Sequence, residues 1–267
     1  MVKVVVASHK EYRMPEDALY LPLQVGAELN SADFGYEKDN TGDNISSLNP
    51  DFCELTGLYW AWKNLEADYI GLAHYRRHFS MRKKGSDPFD NLLTLKEIEP
   101  YTDKIKVFVP KKRNYYIETL YSHYAHTHFA SHLDETRSII KERYPEYDKC
   151  CEKVFNSKSG YMFNMLIMKS ELLDEYCTWL FDILFELKNR VTEEEIESMS
   201  AFQRRFYGRV SEILFNVWIM KKIEDGELKN SEVKELKCIH MEKVNWFKKG
   251  SAFLAAKFTN KKYEGSF

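Results

Sequence analysis

The sequence predicts an α/β fold, in which a mostly parallel central sheet is flanked by helices and the C-terminal part is helical. The chain has 267 residues, 44% of them hydrophobic, which is enough to form a large buried core. It opens on a continuous β-branched run from Val2 to Ala7, typical of a strand buried on both faces. Further apolar runs alternate with stretches of helical period, an order that favours parallel strands joined by helices.

Short local signals define the elements of the first half. Asn49 can cap a helix whose first helical residue is Pro50, and apolar residues at helical spacing continue it to Asn64. Thr94 and Glu97 form the capping box of a short helix. The predicted order is a loop over 30–49, a helix over 49–64, a buried strand over 68–73, a short helix from 94 and a short strand over 106–110.

The second half is predicted to be mainly helical. Ser170 and Thr192 can each cap a helix, and Pro145 ends an earlier one. The predicted order is a mostly helical stretch over 117–144, a strand over 161–168, helices over 170–189, 192–208 and 210–222, and a strand over 234–241. We therefore expect one domain over residues 1–242 and a basic, aromatic tail over 243–267.

Composition excludes several classes of function. The 39 basic residues are balanced by 41 acidic ones, so no overall positive field exists to bind nucleic acid. The five cysteines are odd in number and form no Cys-x-x-Cys motif, which favours a reducing compartment. The N-terminus lacks the pattern of a signal peptide, and no apolar stretch approaches the ~20 residues that span a bilayer. These features predict a cytoplasmic protein.

The strongest candidate site directly follows the predicted strand over 68–73. Arg76 and Arg77 are adjacent there, between His74-Tyr75 and His78. Guanidinium groups bind phosphate oxygens bidentately, so the pair predicts a clamp for a diphosphate. The alternative is that these arginines neutralise local carboxylates, or that one of them is simply solvated.

The segment over 39–46 is a second candidate. Its acidic and amide side chains, among them Asp39, Asp43 and Asn44, can hold a ribose, a sugar hydroxyl or a metal ion. An ordinary Asx turn leading into the next helix is the favoured alternative.

Two further clusters lie in predicted helices. Arg205, Arg209 and Glu212 share a helix face if the helix continues through Gly208, so Glu212 is either a catalytic carboxylate or the partner in an ordinary ion pair. A histidine group suits either a polar helix face, which we favour, or a zinc hydrolase site. Its members are His123, His126, His128 and His132.

The tail over 243–267 combines lysines with aromatic residues, and no acidic residue occurs between Lys243 and Tyr263. This combination suits an anionic membrane surface. A tail that packs on the domain with its lysines in solvent is the alternative.

Several long strings of this sequence resemble those of a known family. The most specific are Asp-Asn-Ile-Ser over 43–46, Cys-Glu-Leu-Thr-Gly-Leu-Tyr-Trp-Ala-Trp-Lys-Asn over 53–64, and Asp-Tyr-Ile-Gly-Leu-Ala-His-Tyr-Arg-Arg-His-Phe over 68–79. Shorter matches occupy 6–10, 20–27, 164–168, 176–181 and 209–212. Together these resemble the DUF4422 family of bacterial glycosyltransferases from capsule, exopolysaccharide and O-antigen synthesis.

The resemblance implies a GT-A-like domain that moves a hexose from a nucleotide-sugar, a UDP-sugar such as UDP-galactose, to a lipid-linked glycan acceptor. Beside it we keep a non-catalytic nucleotide- or glycan-binding module as the alternative. The nucleotide-sugar is assigned to Ser8, His9, Lys10, Asp43, Asn44, His74, Tyr75, Arg76 and Arg77. The acceptor is assigned to Asn164 and Arg209, and the catalytic role to Glu212, with Asp43 as the alternative.

The sequence departs from metal-dependent GT-A enzymes at one point. Those enzymes hold a divalent ion with an Asp-x-Asp motif after a central strand, whereas the corresponding strand end here reads His74-Tyr75-Arg76. We therefore expect no cofactor, with Arg76 and Arg77 neutralising the diphosphate. Binding of Mn²⁺ by Asp39 and Asp43 is the alternative. A lipid-linked acceptor would also give the tail a use in peripheral association with the inner membrane.

Overall fold

A mixed eight-stranded sheet runs through the part of the chain that the computed structural model describes, residues 1–82 and 85–242. A two-stranded sheet of β7 and β8 lies beside it. The strands are β1 (Val2–Ser8), β2 (Tyr20–Gln24), β3 (Glu37–Lys38), β4 (Tyr69–His74), β5 (Arg77–Ser80), β6 (Val107–Pro110), β7 (Arg113–Asn114), β8 (Ser159–Gly160), β9 (Leu166–Lys169) and β10 (Val233–His240).

Helices pack against this sheet and make up most of the second half of the described chain. They are α1 (Asn49–Phe52), α2 (Leu55–Asn64), α3 (Leu95–Ile98), α4 (Leu120–Thr127), α5 (Ala130–Arg143), α6 (Asp148–Phe155), α7 (Ser170–Arg190), α8 (Glu193–Ser198) and α9 (Phe206–Glu224). The predicted α/β class and the helical C-terminal part are confirmed. The tail predicted over 243–267 lies outside the described residues.

The sheet order is β3-β2-β1-β4-β5-β10-β6-β9, with a further pairing of β4 to β9. Strands β1 to β4 pair in parallel, as do β6 and β10. Strand β5 is antiparallel to both β4 and β10, and β9 is antiparallel to both β4 and β6. The prediction of a mostly parallel sheet is therefore correct for one half of the sheet only. The change of direction at β5 has a local reason, because only two residues connect β4 to β5, and so short a connection joins antiparallel strands.

Strand β1 is buried on both faces, as its β-branched run predicts. Val5 and Ala7 belong to a large apolar cluster formed with the long helices, whereas Val4 and Val6 belong to a second cluster on the opposite face. The carboxyl ends of β1 and β4 therefore lie at one edge of a rigid sheet, which is where ligands bind in open α/β folds.

One predicted helix, over 49–64, is interrupted at Cys53. The backbone of Cys53 has a φ of 52°, a conformation that breaks the helical course and separates α1 from α2. The Asn49 side-chain amide donates to the Cys53 carbonyl at 2.8 Å, which holds the break in place. As a result Glu54 precedes the first turn of α2 instead of lying within a longer helix.

Other predicted boundaries shift for similar local reasons. The helix over 117–144 is divided into α4 and α5, and the strand over 161–168 begins only at Leu166 because Phe163 and Asn164 have positive φ values of 80° and 53°. Lys169, not Ser170, occupies the N-cap position of α7, and its side chain makes no capping hydrogen bond. The helix predicted over 192–208 ends at Ser198, and the last long helix begins at Phe206. The capping box of Thr94 and Glu97 is confirmed.

Candidate active site

A cavity of about 280 Å³ opens beyond the carboxyl ends of β1 and β4, between the β4–β5 turn and the start of α9. Its charged lining consists of four arginines and two glutamates, which leaves two excess positive charges when the nearby histidines are neutral. These residues are Arg76, Arg77, Arg205, Arg209, Glu54 and Glu212. The cavity therefore suits an anionic ligand.

The two histidines in the lining carry little positive charge at neutral pH. Burial lowers the pKa of His9, and the charges of Arg205, Lys10 and Arg76 lower it further. Burial also lowers the pKa of His74, against the opposing charge of Glu54. The positive field of the cavity therefore comes from its arginines.

The β4–β5 turn is anchored from two sides. The Tyr75 backbone N–H donates to the Ala7 carbonyl at 3.2 Å, and the Met241 N–H donates to the Arg76 carbonyl at 3.0 Å. Around the buried Tyr75 ring lie the His9 ring at 5.4 Å and the Lys10 and Arg76 cations at 5.0 and 5.4 Å from its centroid. The turn is therefore a fixed platform that holds cations beside the end of β1.

Arg77 lies deeper than Arg76. Its guanidinium lies 4.7 Å from the centroid of the Phe163 ring, and burial lowers its pKa, with the charges of Arg76 and Arg209 acting in the same direction. Arginine remains charged in proteins even so. Cations gathered in this way repel one another, and an anion placed between them would relieve that repulsion.

Glu54, which precedes α2, belongs to a buried polar network. The Asn164 side-chain amide donates to the Glu54 carboxylate at 2.8 Å and to the Gly208 carbonyl at 3.0 Å. The His74 Nε2 lies 3.9 Å from that carboxylate and 2.7 Å from the Phe163 carbonyl. Because a carbonyl only accepts, Nε2 carries the proton. Burial would raise the pKa of Glu54, but His74, Asn164 and Arg209 outweigh it and lower the pKa.

Glu212 is the second carboxylate of the cavity, and its side chain is only 4% exposed. Arg209 donates from Nη1 to both of its oxygens, at 3.1 and 3.3 Å. Burial raises the pKa of Glu212, and the Arg209 charge opposes that rise. Helix α9 is continuous through Gly208, so the prediction that Arg209 and Glu212 share a helix face is confirmed. The two carboxylates have pKa values shifted in opposite directions, an arrangement that suits two carboxylates with different roles.

The structure brings most of the predicted site residues to this cavity. His9, His74, Tyr75, Arg76, Arg77, Arg209 and Glu212 line it. Ser8 is buried at the end of β1, where its hydroxyl donates to the Lys10 carbonyl at 2.6 Å. Asn164 lies behind Glu54 and positions it. Asn164 is not among the residues that line the cavity, and its acceptor contact stays a prediction.

Asp43 and Asn44 are not among the residues that line the cavity. Asp43 accepts a hydrogen bond from the Tyr59 hydroxyl at 3.2 Å, and the Asn64 amide at the end of α2 donates to its backbone carbonyl at 2.8 Å. Glu54 precedes the opposite end of α2, about 14 Å away along a helix of this length. The proposed site therefore does not include Asp43 and Asn44, which were expected to contact the ribose or to take part in catalysis.

Asp39 has a structural role. Its fully buried carboxylate accepts from the backbone N–H groups of Gly26 and Ala27, at 2.9 and 3.0 Å, and from the hydroxyls of Ser46 and Thr56, at 2.5 and 2.7 Å. Four donors satisfy it without a metal ion. The bond to Thr56 ties the 39–46 segment to α2.

The histidines of the predicted zinc alternative are distributed between separate contacts. The Nδ1 atoms of His123 and His126 lie 2.9 and 2.7 Å from the buried Glu118 carboxylate, whereas His132 Nε2 lies 3.2 Å from Glu195. Within residues 1–82 and 85–242, no group of three or more such side chains could hold a metal ion.

Glu54 is a residue of the site that no sequence motif indicates. Its only local signal is an acidic residue near a helix start, whereas its place in the cavity depends on the break at Cys53 and on the distant Asn164. Arg205 was grouped with Arg209 and Glu212 by spacing, and it lines the same cavity from just before α9.

Among the helices of the described residues, none is long and apolar enough to cross a membrane.

Comparison with known proteins identifies the family. The profile of DUF4422, a domain of unknown function, matches residues 3–223, so the chain belongs to the DUF4422 family, as its sequence motifs predict. No curated protein matches the chain.

A solved structure, described as the WbbM bifunctional glycosyltransferase in its apo form, resembles this chain. The two superpose with a TM-score of 0.81 and 31% identity. The match covers 91% of this chain and 45% of the other, so this chain spans less than half the length of that protein.

Proposed function

We propose that this protein is a glycosyltransferase of polysaccharide synthesis that moves a sugar from a nucleotide-sugar donor to a glycan acceptor. The observation that carries the proposal is the arginine-rich cavity at the carboxyl ends of β1 and β4. Similarity to a bifunctional glycosyltransferase over 91% of this chain supports it. Because that protein is more than twice as long, this chain would correspond to one part of it.

The donor diphosphate would lie between the β4–β5 turn and the start of α9. Arg76 and Arg77 approach this position from the turn, while Arg205 approaches it from the residue before α9. Cleavage of the bond to the sugar leaves its electron pair on the departing diphosphate, which adds one negative charge to phosphates that are already ionised. Fixed guanidinium groups stabilise that charge most effectively when they are already in place before it develops. With the parallel half of the sheet serving the nucleotide, the domain would be GT-A-like, as the resemblance of the sequence implies.

Glu212 would act as the general base that accepts the proton of the attacking acceptor hydroxyl. Its raised pKa makes it a stronger base than an exposed carboxylate, and Arg209 holds it in orientation. Glu54 has a lowered pKa and so stays ionised, where its charge can stabilise the electron-poor sugar. Arg209 remains our candidate for the acceptor contact because it lines the cavity while still partly exposed.

We further propose a UDP-sugar as donor, a hexose as the transferred group and a lipid-linked glycan as acceptor, on the resemblance of the sequence to its family. Direct neutralisation of the diphosphate by Arg76 and Arg77 predicts transfer that needs no divalent ion. Asp39, the alternative metal ligand, is already occupied by four donors.

Release of the free nucleoside diphosphate from a set of nucleotide-sugars tests the proposal, with the purified protein and a glycan acceptor in excess EDTA. We expect release with UDP-sugars from the unaltered protein and release at least about 100-fold slower from Glu212→Gln. Binding of the nucleotide-sugar without release or transfer would instead identify a non-catalytic binding module. Activity that disappears in EDTA and returns with Mn²⁺ would overturn the metal-free mechanism.

A further inference from the structure

The segment over 111–117, which we call the basic loop, exposes both cations and apolar side chains between β6 and α4. Lys111 and Lys112 are exposed, and Arg113 is half-buried. Tyr116 and Ile117 follow, with 76% and 55% of their surface exposed. They are two of the five large hydrophobic residues exposed in the described part of the chain, and they are adjacent. Such a pair beside three consecutive cations is unusual for a surface that contacts only water.

The cations of the basic loop have no acidic partner among the described residues. Lys112 lies 4.9 Å from the centroid of the Tyr161 ring, and Arg113 lies 4.9 Å from that of Tyr115. Lys158 is also exposed beside the loop, where its carbonyl accepts from the Tyr115 N–H at 2.8 Å. By contrast, Arg190 is bound by three carboxylates: Glu135, Glu142 and Glu186.

Two acidic residues lie near the cations of the loop, and both make hydrogen bonds to other side chains. Glu118 is buried and bound by His123 and His126. Glu235 makes a hydrogen bond with the Tyr161 hydroxyl. Glu235 is itself exposed and keeps its charge, but the four cations of Lys111, Lys112, Arg113 and Lys158 outnumber it, so the outward face of the loop carries a net positive charge.

A tight turn projects the apolar pair away from the protein. Tyr116 has a φ of 56°, and its N–H donates to the Asn114 side-chain oxygen at 2.8 Å. The Ile117 N–H donates to the Tyr115 carbonyl at 2.6 Å. The turn buries Tyr115 while it exposes its two successors.

Tyr115 also connects the basic loop to the cavity. Burial raises the pKa of its hydroxyl, and among the charges that act on that hydroxyl are those of Arg113 on the loop side and of Glu212 and Arg209 on the cavity side. Strand β7 of the loop pairs with β8, after which the Tyr161 N–H donates to the Asn216 side chain at 2.8 Å. The Asn216 amide donates in turn to the Glu212 carbonyl at 2.8 Å, so the loop and the Glu212 side of the cavity are neighbours.

We propose that the basic loop, together with Lys158, docks this protein on a bilayer surface that carries anionic lipids. Lysines and arginine face phosphate groups, while Tyr116 and Ile117 enter the boundary between headgroups and acyl chains. Ile117 favours a bilayer over a nucleic acid, because an aliphatic side chain has no ring to stack on bases. The docked loop brings the cavity close to the membrane. That a docked cavity lies close to a lipid-linked acceptor matters only under the proposed function, on which this point rests. The docking itself does not rest on it.

Vesicle co-sedimentation of the full chain tests the docking. Each cation is worth about fivefold in binding to an anionic surface. Lys111→Ala with Lys112→Ala should therefore lower partitioning onto phosphatidylglycerol-containing vesicles roughly 30-fold, with little binding to phosphatidylcholine alone. Lys141→Ala with Lys188→Ala, two exposed lysines on α5 and α7 with no ion pair in the described residues, removes the same charge and should change binding less than about twofold.

Tyr116→Asn with Ile117→Ser tests the apolar contribution, since asparagine tolerates the left-handed backbone at position 116. This variant should lose binding to the same extent in low and high salt, whereas the loss in the lysine variant should shrink as salt screens the surface. Unchanged binding of both loop variants, or an equal loss in the Lys141 and Lys188 control, would overturn the docking.

A lipid-free glycan acceptor separates the docking from the proposed function. Loop variants that lose vesicle binding should still transfer sugar to such an acceptor at the unaltered rate. Loop-dependent vesicle binding in a protein that transfers no sugar at all would leave the docking standing and remove the proposed function.

Discussion

Asn164 allows the positioning of Glu54 to be tested quantitatively. Asn164→Ala removes two hydrogen bonds, one to the ionised Glu54 carboxylate and one to the Gly208 carbonyl. A buried bond to a charged group is worth about 2 kcal/mol and a neutral one about 1 kcal/mol. Alanine at a φ of 53° costs about 1 kcal/mol more. We therefore expect the free energy of unfolding to fall by about 4 kcal/mol.

Urea unfolding of the Asn164→Ala variant measures this loss, and Asn164→Gly is its matched control. Glycine removes the same two bonds without backbone strain, so it should be less destabilising than alanine by up to about 1 kcal/mol. A loss below about 1 kcal/mol in the alanine variant would refute the contacts argued for Asn164. A glycine variant less stable than the alanine variant would refute the strain.

The same substitution has a consequence for chemistry. The Asn164 bond helps to lower the pKa of Glu54, so its removal should raise that pKa. The acid limb of the transfer rate should then move to higher pH, a change that a purely structural role would not produce.

Three further predictions concern single carboxylates and one arginine. Arg76→Ala should lower turnover at least about 100-fold, with partial recovery in Arg76→Lys, as measured in the transfer assay. Glu212→Gln should lower turnover about 10² to 10⁴-fold. Because burial raises the pKa of Glu212, folding favours its protonated form, and that stabilisation is lost as pH rises through the raised pKa. Glutamine resembles the protonated form at every pH. Glu212→Gln should therefore unfold at a higher urea concentration than the unaltered protein at neutral pH, but not at acid pH. Asp39→Ala leaves four donors unpaired and should lower the free energy of unfolding in urea by about 4 kcal/mol. Asp43 is exposed, so Asp43→Ala should lower it by less than about 1 kcal/mol and leave activity within about twofold. Turnover that survives in Arg76→Ala, a less stable Glu212→Gln at neutral pH, or an inactive Asp43→Ala would each contradict the proposed site.

The position of the cavity could be predicted from the sequence because its determinants are local. The continuous apolar runs of β1 and β4 indicate buried strands, and the polar residues that follow a buried strand lie at its end. Arg209 and Glu212 are three residues apart, so a continuous helix places them together. These signals were sufficient to group the arginines with one carboxylate.

The polar network around Glu54 could not be predicted, because it depends on contacts between distant segments. The break at Cys53 and the positive φ values of Phe163 and Asn164 contradict the helix and strand that local patterns predict there. Both irregular segments carry groups into the site: the Phe163 carbonyl meets His74, and the Asn164 amide meets Glu54. Sequence patterns that predict regular helices and strands fail at such sites, because the backbone there adopts the irregular conformations that position the functional groups.

The mixed strand directions of the sheet could not be predicted from the sequence for a similar reason. A short apolar run such as β9 indicates a buried strand but not its direction, which is set by the strands already present at its edge. Its pairing with both β4 and β6 brings the loop of Phe163 and Asn164 to the cavity. The antiparallel half of the sheet therefore supplies the part of the site that the sequence did not indicate.

The central claim is that Arg76 and Arg77 bind a diphosphate, and calorimetric titration with UDP, UMP and uridine tests it most directly. We predict that UDP binds the unaltered protein at least about tenfold more tightly than UMP, and that this difference disappears in the Arg76→Ala, Arg77→Ala double variant while uridine binding is unchanged. Equal affinities for UDP and UMP in the unaltered protein, or a UDP preference that persists in the double variant, would contradict the account.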